Sequence, residues 1–196
     1  TNRARDNMHD RLRRYLTPRE MREAVTVCNF HGLSARIIQA HSNVIGLDPT
    51  RLTMPQNDWV GERCRALKLK GLTNDVKSDI SLAKRRALND EQVLAELQRS
   101  GNQYASMIEE QRQAESRLTY DDLPRLAELI LANDEVAALY QQHFGAIVVD
   151  EFQDLTPQQL RIVQRIGDKK TTYAGDLAQG IYAFAGAEPE YIKKQL

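Results

Sequence analysis

Two adjacent carboxylates, Asp150 and Glu151, follow directly on the apolar run Ala146-Ile147-Val148-Val149. A continuous apolar run bounded by polar residues suits a strand buried on both faces of a parallel sheet. Ligands of open parallel sheets bind outside the carboxyl ends of the strands. Such a strand delivers both carboxylates to that edge, and the alternation of an extended chain points them in opposite directions. One could hold a hydrated Mg2+ while the other faces a water beside a terminal phosphate. That is the division of labour nucleoside triphosphate hydrolysis requires. The same residues also read as an acid-rich helix start, which serves many functions or none.

The strings around the pair narrow the choice. "IVVDEFQD" at 147–154 is followed, after a helix and a strand, by "GDLAQGIYAFAGA" at 175–187. Together they resemble motifs II and III of UvrD/Rep-type superfamily-1 DNA helicases. Three more segments agree in order: "TNRARDNMHDRL" at 1–12 with the tail of motif Ia, "NFHGLSARII" at 29–38 with a Thr-Phe-His-Ser segment, and "TYDDLPRLAELIL" at 119–131 with an Asp-Asp-Leu segment. The middle of the chain carries no motif, and its position is that of the accessory subdomain 1B in these enzymes.

The resemblance implies an α/β fold: a partial RecA-like parallel sheet with flanking helices plus an inserted all-helical lobe. It divides the chain into 1–44 (RecA-like domain 1A, first part), 45–117 (helical subdomain 1B) and 118–196 (domain 1A continued). It also implies an ATP-dependent DNA helicase with ATP and Mg2+ as cofactors. Asp150 would then coordinate Mg2+ through water, Glu151 would activate the hydrolytic water, and Gln179 would sense the γ-phosphate. Asn2, Arg3, Asn29, Phe30, His31, Tyr182 and Phe184 fall on DNA-contacting segments. Phe184 takes the place of the aromatic that stacks on a base, an interaction worth ~1–3 kcal/mol and tolerant of sequence. The expected partners are single-stranded DNA, duplex junctions and the remaining helicase domains.

The chain also departs from the family. Phe184-Ala185-Gly186-Ala187 stands where Trp-Arg-Gly-Ala is usual, which removes a basic contact. Gly180 replaces the Ser after the motif III Gln, Asn29 replaces Thr before Phe30-His31, and Gly32 replaces the Ser after them. No G-x-x-x-x-G-K-[ST] phosphate loop occurs in the sequence. Gly175 and Gly180 have that glycine spacing, but Ile181-Tyr182 stands where Lys-Ser/Thr is needed. The chain begins with Thr1, so it is expected to be a middle piece of a longer helicase and inactive by itself. The reading of a different class is a degenerate helicase remnant that binds DNA or protein without hydrolysing anything.

Several elements must position these residues. Residues 3–16 have helical spacing through Met8, Leu12, Tyr15 and Leu16. Thr17-Pro18-Arg19-Glu20 is a capping-box helix start. Val25-Thr26-Val27-Cys28 is β-branched enough for a strand, and Gly32 to Val44 returns to helical spacing. The middle predicts several helices: a stripe of Trp59, Val60, Cys64 and Leu67, then Ile80 and Leu82, then Val93, Leu94 and Leu97 after an Asn89-Asp90 cap, with Gly101-Asn102 as a break. Dense charge between the apolar positions predicts a small bundle. Leu123 to Ile130 and Val136 to Phe144 predict two more helices. The run 146–149, a Thr156-Pro157 helix start and Thr171-Thr172-Tyr173-Ala174 then predict a strand-helix-strand unit with parallel strands.

Composition sets the outer bounds. Of 196 residues, 41% are hydrophobic, 28% charged and 6% aromatic. That suits a helix-rich domain with an ordinary core. No apolar run approaches the ~20 residues that span a bilayer. Cys28 and Cys64 lie far apart and form no zinc framework, and His9, His31, His41 and His143 have no metal-ligand spacing. With no basic-then-apolar leader, a cytoplasmic site is expected, beside the nucleoid if the source is bacterial. The net charge of zero covers a gradient: residues 1–40 hold eight Arg against four acids, and residues 118–196 hold seven bases against twelve acids.

Overall fold

The computed structural model describes residues 2–167 and 169–176, with residues 2–4 described by their backbone alone. Helix α1 (Asn2–Leu12) is followed by α2 (Pro18–Glu23). The start of α2 is the expected capping box: Glu20 N–H donates to Thr17 Oγ1 at 3.3 Å, and Thr17 N–H donates to Glu20 Oε2 at 2.8 Å. The Glu20 carboxylate accepts from both Thr17 N–H and Thr17 Oγ1–H, which lowers its pKa. Residues 13–16 follow α1 as turns rather than a further run of helix, and Tyr15 is 85% exposed.

Helix α3 (Phe30–His41) starts at Asn29, whose Oδ1 accepts Gly32 N–H at 2.7 Å. Val25-Thr26-Val27-Cys28 forms no strand. A strand exists through a ladder with its neighbour. Among the described residues the sheet has two strands, β1 (Ile147–Val149) and β2 (Thr171–Tyr173), and neither pairs with this segment.

Four helices make the middle: α4 (Trp59–Ala66), α5 (Thr73–Lys84), α6 (Asp90–Ser100) and α7 (Gln103–Ala114). Asn89 caps α6 by accepting Gln92 N–H at 2.8 Å. Gly101 ends α6 at φ 79°, a left-handed conformation that glycine adopts without steric cost, and Asn102 caps α7. The helices close over their own core, which includes Trp59, Cys64, Val76, Ile80, Val93, Leu97 and Ile108. Two expected core leucines lie outside it. Leu82 is 60% exposed because two residues beyond Ile80 is the opposite side of a helix. Leu67 caps the end of α4 at 43% exposure, and Leu69 is buried instead.

The second core joins α3 to α8 (Asp122–Leu131), α9 (Asp134–His143) and α10 (Pro157–Gly167). Ile37 and Ile38 meet Leu123, Leu126, Ile130, Ile162 and Ile166 there. Leu47, Leu52 and Met54 pack against this core rather than against the middle helices. The fold is therefore α/β, with a small parallel sheet, flanking helices and an inserted helical lobe. Among the described residues, no helix is long and apolar enough to cross a membrane.

Where lobe and body meet, charge replaces hydrocarbon. Lys84 Nζ lies 2.9 Å from both Glu109 Oε2 and Asp122 Oδ2. Arg112 Nε reaches Glu109 Oε1 at 2.7 Å. Arg125 Nη2 reaches Asp122 Oδ1 at 2.7 Å and Asp90 Oδ1 at 2.6 Å. Lys84, Glu109, Arg112, Asp122 and Arg125 are all at most 2% exposed. Three cations face three anions, which is the condition for burying charge at tolerable cost.

Candidate nucleotide and DNA site

Helix α10 begins with a reciprocal cap. Thr156 N–H donates to Gln159 Oε1 at 3.1 Å, and Gln159 N–H donates to Thr156 Oγ1 at 3.2 Å. From there Leu160 and Val163 pack under Val149 and Leu155, with Phe30, Ile147, Phe152 and Tyr173 at the margin. This small core anchors the strand pair. The strands run parallel with Ile147 opposite Thr171, Val148 opposite Thr172 and Val149 opposite Tyr173.

One face of the sheet is covered and the other is open. Val149 is 6% exposed, but Val148 is 70% exposed, so the strand is not buried on both faces as its unbroken apolar run suggested. The period of two explains this: α10 covers the side of Ile147 and Val149, and among the described residues no element covers the side of Val148.

Asp150 and Glu151 do stand at the carboxyl end of β1, and both are exposed. Their orientation is not set by strand alternation. Glu151 has φ 53° and ψ 46°, the left-handed region, and opens a 3-10 turn over Phe152–Asp154. A residue with a side chain held there costs roughly 1–3 kcal/mol, and such strain gathers at functional sites. The turn is pinned to β2: Ala174 N–H donates to Val149 O at 2.8 Å, and Phe152 N–H donates to Ala174 O at 3.2 Å.

Glu151 is held from behind by Gln153, which is 2% exposed. Gln153 Nε2 donates to Glu151 Oε2 at 2.6 Å, and Gln153 Oε1 accepts Asp176 N–H at 3.1 Å. The backbone passes so close that a Cβ on Gly175 would lie 2.2 Å from Gln153 Oε1 and 3.0 Å from Phe152 N. Asp154 lies close enough to Glu151 to feel its charge. Its pKa is raised, by burial first and by the charge of Glu151 second, and its Oδ1 has no hydrogen-bond partner among the described residues. Asp150 and Glu151, exposed at a strand end, offer carboxylate oxygens of the kind a hydrated divalent cation takes.

The α3 start lies against the same small core through Phe30. His31 meets Tyr120 edge-on with ring centroids 5.7 Å apart. That brings the 29–31 segment beside the start of the 119–131 segment. Asn2 and Arg3 lie on α1, but their side chains fall outside the described residues, as do Gln179, Tyr182 and Phe184 altogether. Among the described residues, one acidic trio has metal-like spacing, Asp90, Glu109 and Asp122. Lys84, Arg112 and Arg125 already neutralise it. Sequence reasoning missed both this cluster and Gln153. The i, i+3 spacing of Glu109 with Arg112 and of Asp122 with Arg125 was the one local signal for the cluster.

The comparisons with known proteins agree with the motif order. Residues 1–195 match the UvrD/REP helicase N-terminal domain. The chain belongs to the UvrD/Rep helicase family. It is 25% identical over 209 aligned residues, 98% of its length, to the ATP-dependent DNA helicase Rep of Buchnera aphidicola, covering 32% of that protein. It is 32% identical over 145 residues, 65% of its length, to an ATP-dependent helicase/nuclease protein of Latilactobacillus sakei, covering 16% of it. With the like-named protein of Lactobacillus acidophilus the figures are 38% over 94 residues, 44% of this chain and 8% of the relative. The chain thus spans less than a third of the length of each of these relatives.

Proposed function

We propose that this chain forms part of the first motor domain of an ATP-dependent DNA helicase, which couples ATP hydrolysis to single-stranded DNA translocation and duplex unwinding. The observation that carries the reading is the carboxylate pair Asp150-Glu151 at the carboxyl end of β1, in a chain whose family membership extends over residues 1–195. The accessory lobe falls within 45–117, with domain 1A on either side of it.

Asp150, exposed at the strand end, would hold Mg2+ through water. Bound Mg2+-ATP supplies the electrophilic phosphorus and the neutralised phosphate charge. Glu151 would orient and deprotonate the attacking water, held in place by its own backbone turn and by Gln153. Gln179 would contact the γ-phosphate. Asn29, His31, Tyr182 and Phe184, with Asn2, Arg3 and Phe30 nearby in their segments, would form one side of a single-strand track. The cytoplasm, beside the nucleoid in a bacterium, is where such a motor would work.

The 196 residues contain no phosphate loop with its Lys. Phosphoryl transfer draws most of its stabilisation from that loop and from a cationic finger, the latter alone worth ~10³–10⁵ in rate. The 196-residue chain by itself is therefore expected not to turn over ATP, whereas the full-length protein is expected to do so with Mg2+ and DNA. In the full-length protein Glu151→Gln should abolish hydrolysis and leave ATP binding intact, because it keeps shape and removes the base. A coupled ATPase assay with nucleotide-binding fluorescence tests this. Steady Mg2+-dependent turnover by the 196-residue chain, lost in Glu151→Gln, would contradict the division of labour.

A further inference from the structure

We propose that Gln153 is a positioning residue: its buried amide sets the Glu151 carboxylate and ties it to the backbone at Gly175-Asp176, where the second motif string begins. The inference rests on the hydrolytic reading of Glu151. It adds a link between two segments that the motif strings leave separate.

The geometry allows one orientation of the amide. Its Nε2 faces the Glu151 carboxylate at 2.6 Å, and its Oε1 faces the Asp176 N–H at 3.1 Å. Turning the amide over would set oxygen against oxygen and N–H against N–H, so both neighbours enforce the same choice. Gln153 is 2% exposed, so water does not compete for either bond. A donor to one oxygen of an exposed carboxylate leaves the other oxygen to meet water or a ligand. The close approach of Gly175 leaves no room for a side chain there, so any shift of the 175–176 backbone displaces the Gln153 oxygen. Among the described residues, the hydrogen bond that the Glu151 carboxylate accepts comes from Gln153. A movement at the start of the 175–187 string would therefore reach Glu151 through one side chain.

The experiment uses the full-length protein with Mg2+-ATP and single-stranded DNA. Misplacing a catalytic group by about 1 Å can cost ~10²-fold in rate. Gln153→Ala is expected to lower kcat by ~10–100-fold while KM for ATP changes less than about threefold. Gly175→Ala, which leaves both Glu151 and Gln153 in place, is expected to lower kcat in the same way. Since Gln153 acts through Glu151, any residual rate left in Glu151→Gln should not fall further in the double variant Glu151→Gln/Gln153→Ala. Hydrogen exchange gives a readout without turnover: the Asp176 amide should exchange faster in Gln153→Ala. Wild-type hydrolysis with Gln153→Ala unchanged, or losses that add in the double variant, overturns this proposal alone. A wild-type protein that hydrolyses no ATP overturns the helicase reading and this proposal with it.

Discussion

Replacing Asp122 by alanine should test how lobe and body are joined. Asp122 lies at the centre of the buried charge cluster and is fully buried. Its Oδ2 accepts Thr119 N–H at 2.8 Å and Thr119 Oγ1–H at 2.7 Å, and it lies 2.9 Å from Lys84 Nζ. Its Oδ1 accepts from Arg125 Nη2 at 2.7 Å. Removing the carboxylate leaves Lys84, Arg112 and Arg125 with two anions, Glu109 and Asp90. Breaking a buried pair by removing one partner costs ~3–5 kcal/mol, because the remaining charge is left uncompensated. Against a typical total of roughly 5–15 kcal/mol, that is a large share.

For a domain of this size 1 kcal/mol moves the melting temperature by about 2–4 °C, so Asp122→Ala should melt about 6–20 °C lower. Asp122→Asn keeps the shape and should lose nearly as much, since the charge is what the neighbours require. Lys84→Met makes the cluster negative, and the pair Lys84→Met/Asp122→Asn makes it neutral again. The double variant should therefore lose less than the two singles together, by ~0.5–3 kcal/mol. Chemical denaturation of the wild type and these four variants gives these values. A loss under about 1 kcal/mol for Asp122→Ala, or strict additivity in the cycle, would refute the view that the charges hold each other in place.

The same cluster sets an acid limit. Burial works to raise the pKa of Asp122, but the charges of Lys84, Arg112 and Arg125 and the Thr119 hydrogen bonds prevail and hold it well below the usual carboxylate range; Asp90 is lowered against burial by Arg112 and Arg125. The unfolded chain then binds protons first, so this stability is complete above about pH 4 and is lost as pH falls through the folded values, which urea titrations at pH 5 and pH 3 would show. Single-stranded DNA should bind the 196-residue chain weakly, through the exposed Arg5, Arg11, Arg13, Arg14, Arg19 and Arg22. In fluorescence anisotropy, log K should fall with log salt at about −0.7 per phosphate neutralised, and tight, salt-indifferent binding would contradict the basic-track reading.

How legible the fold was depends on how local its causes are. The caps at Thr17, Asn89 and Thr156 act within three residues, and each stands where the sequence places it. The parallel strand pair was readable because Ile147-Val148-Val149 and Thr171-Thr172-Tyr173 flank a helix of the right length. What failed depends on what lies across from a residue. Val148 belongs to an apolar run, yet its exposure is fixed by which face α10 covers. Val25-Thr26-Val27-Cys28 has strand composition but no ladder among the described residues. The charge cluster joins residues 84, 90, 109, 112, 122 and 125, and no window of helical periodicity can show that their charges meet.

The candidate site shows the same division at closer range. The string 147–154 marks Asp150 and Glu151 as a pair, but not the left-handed backbone at Glu151 that sets their relative direction. An extended chain through Glu151 would carry Phe152 and Gln153 onward in the strand direction, past the end of β2 at Tyr173. The turn instead brings Phe152 N–H to Ala174 O and puts Gln153 beneath Glu151. The strain of one residue thus accompanies two contacts to the neighbouring strand's end. Those contacts tie the carboxylates to the end of the neighbouring strand, unlike the exposed start of a helix, and they show why glycine suits position 175: a Cβ there would lie 2.2 Å from Gln153 Oε1 and 3.0 Å from the Phe152 backbone nitrogen.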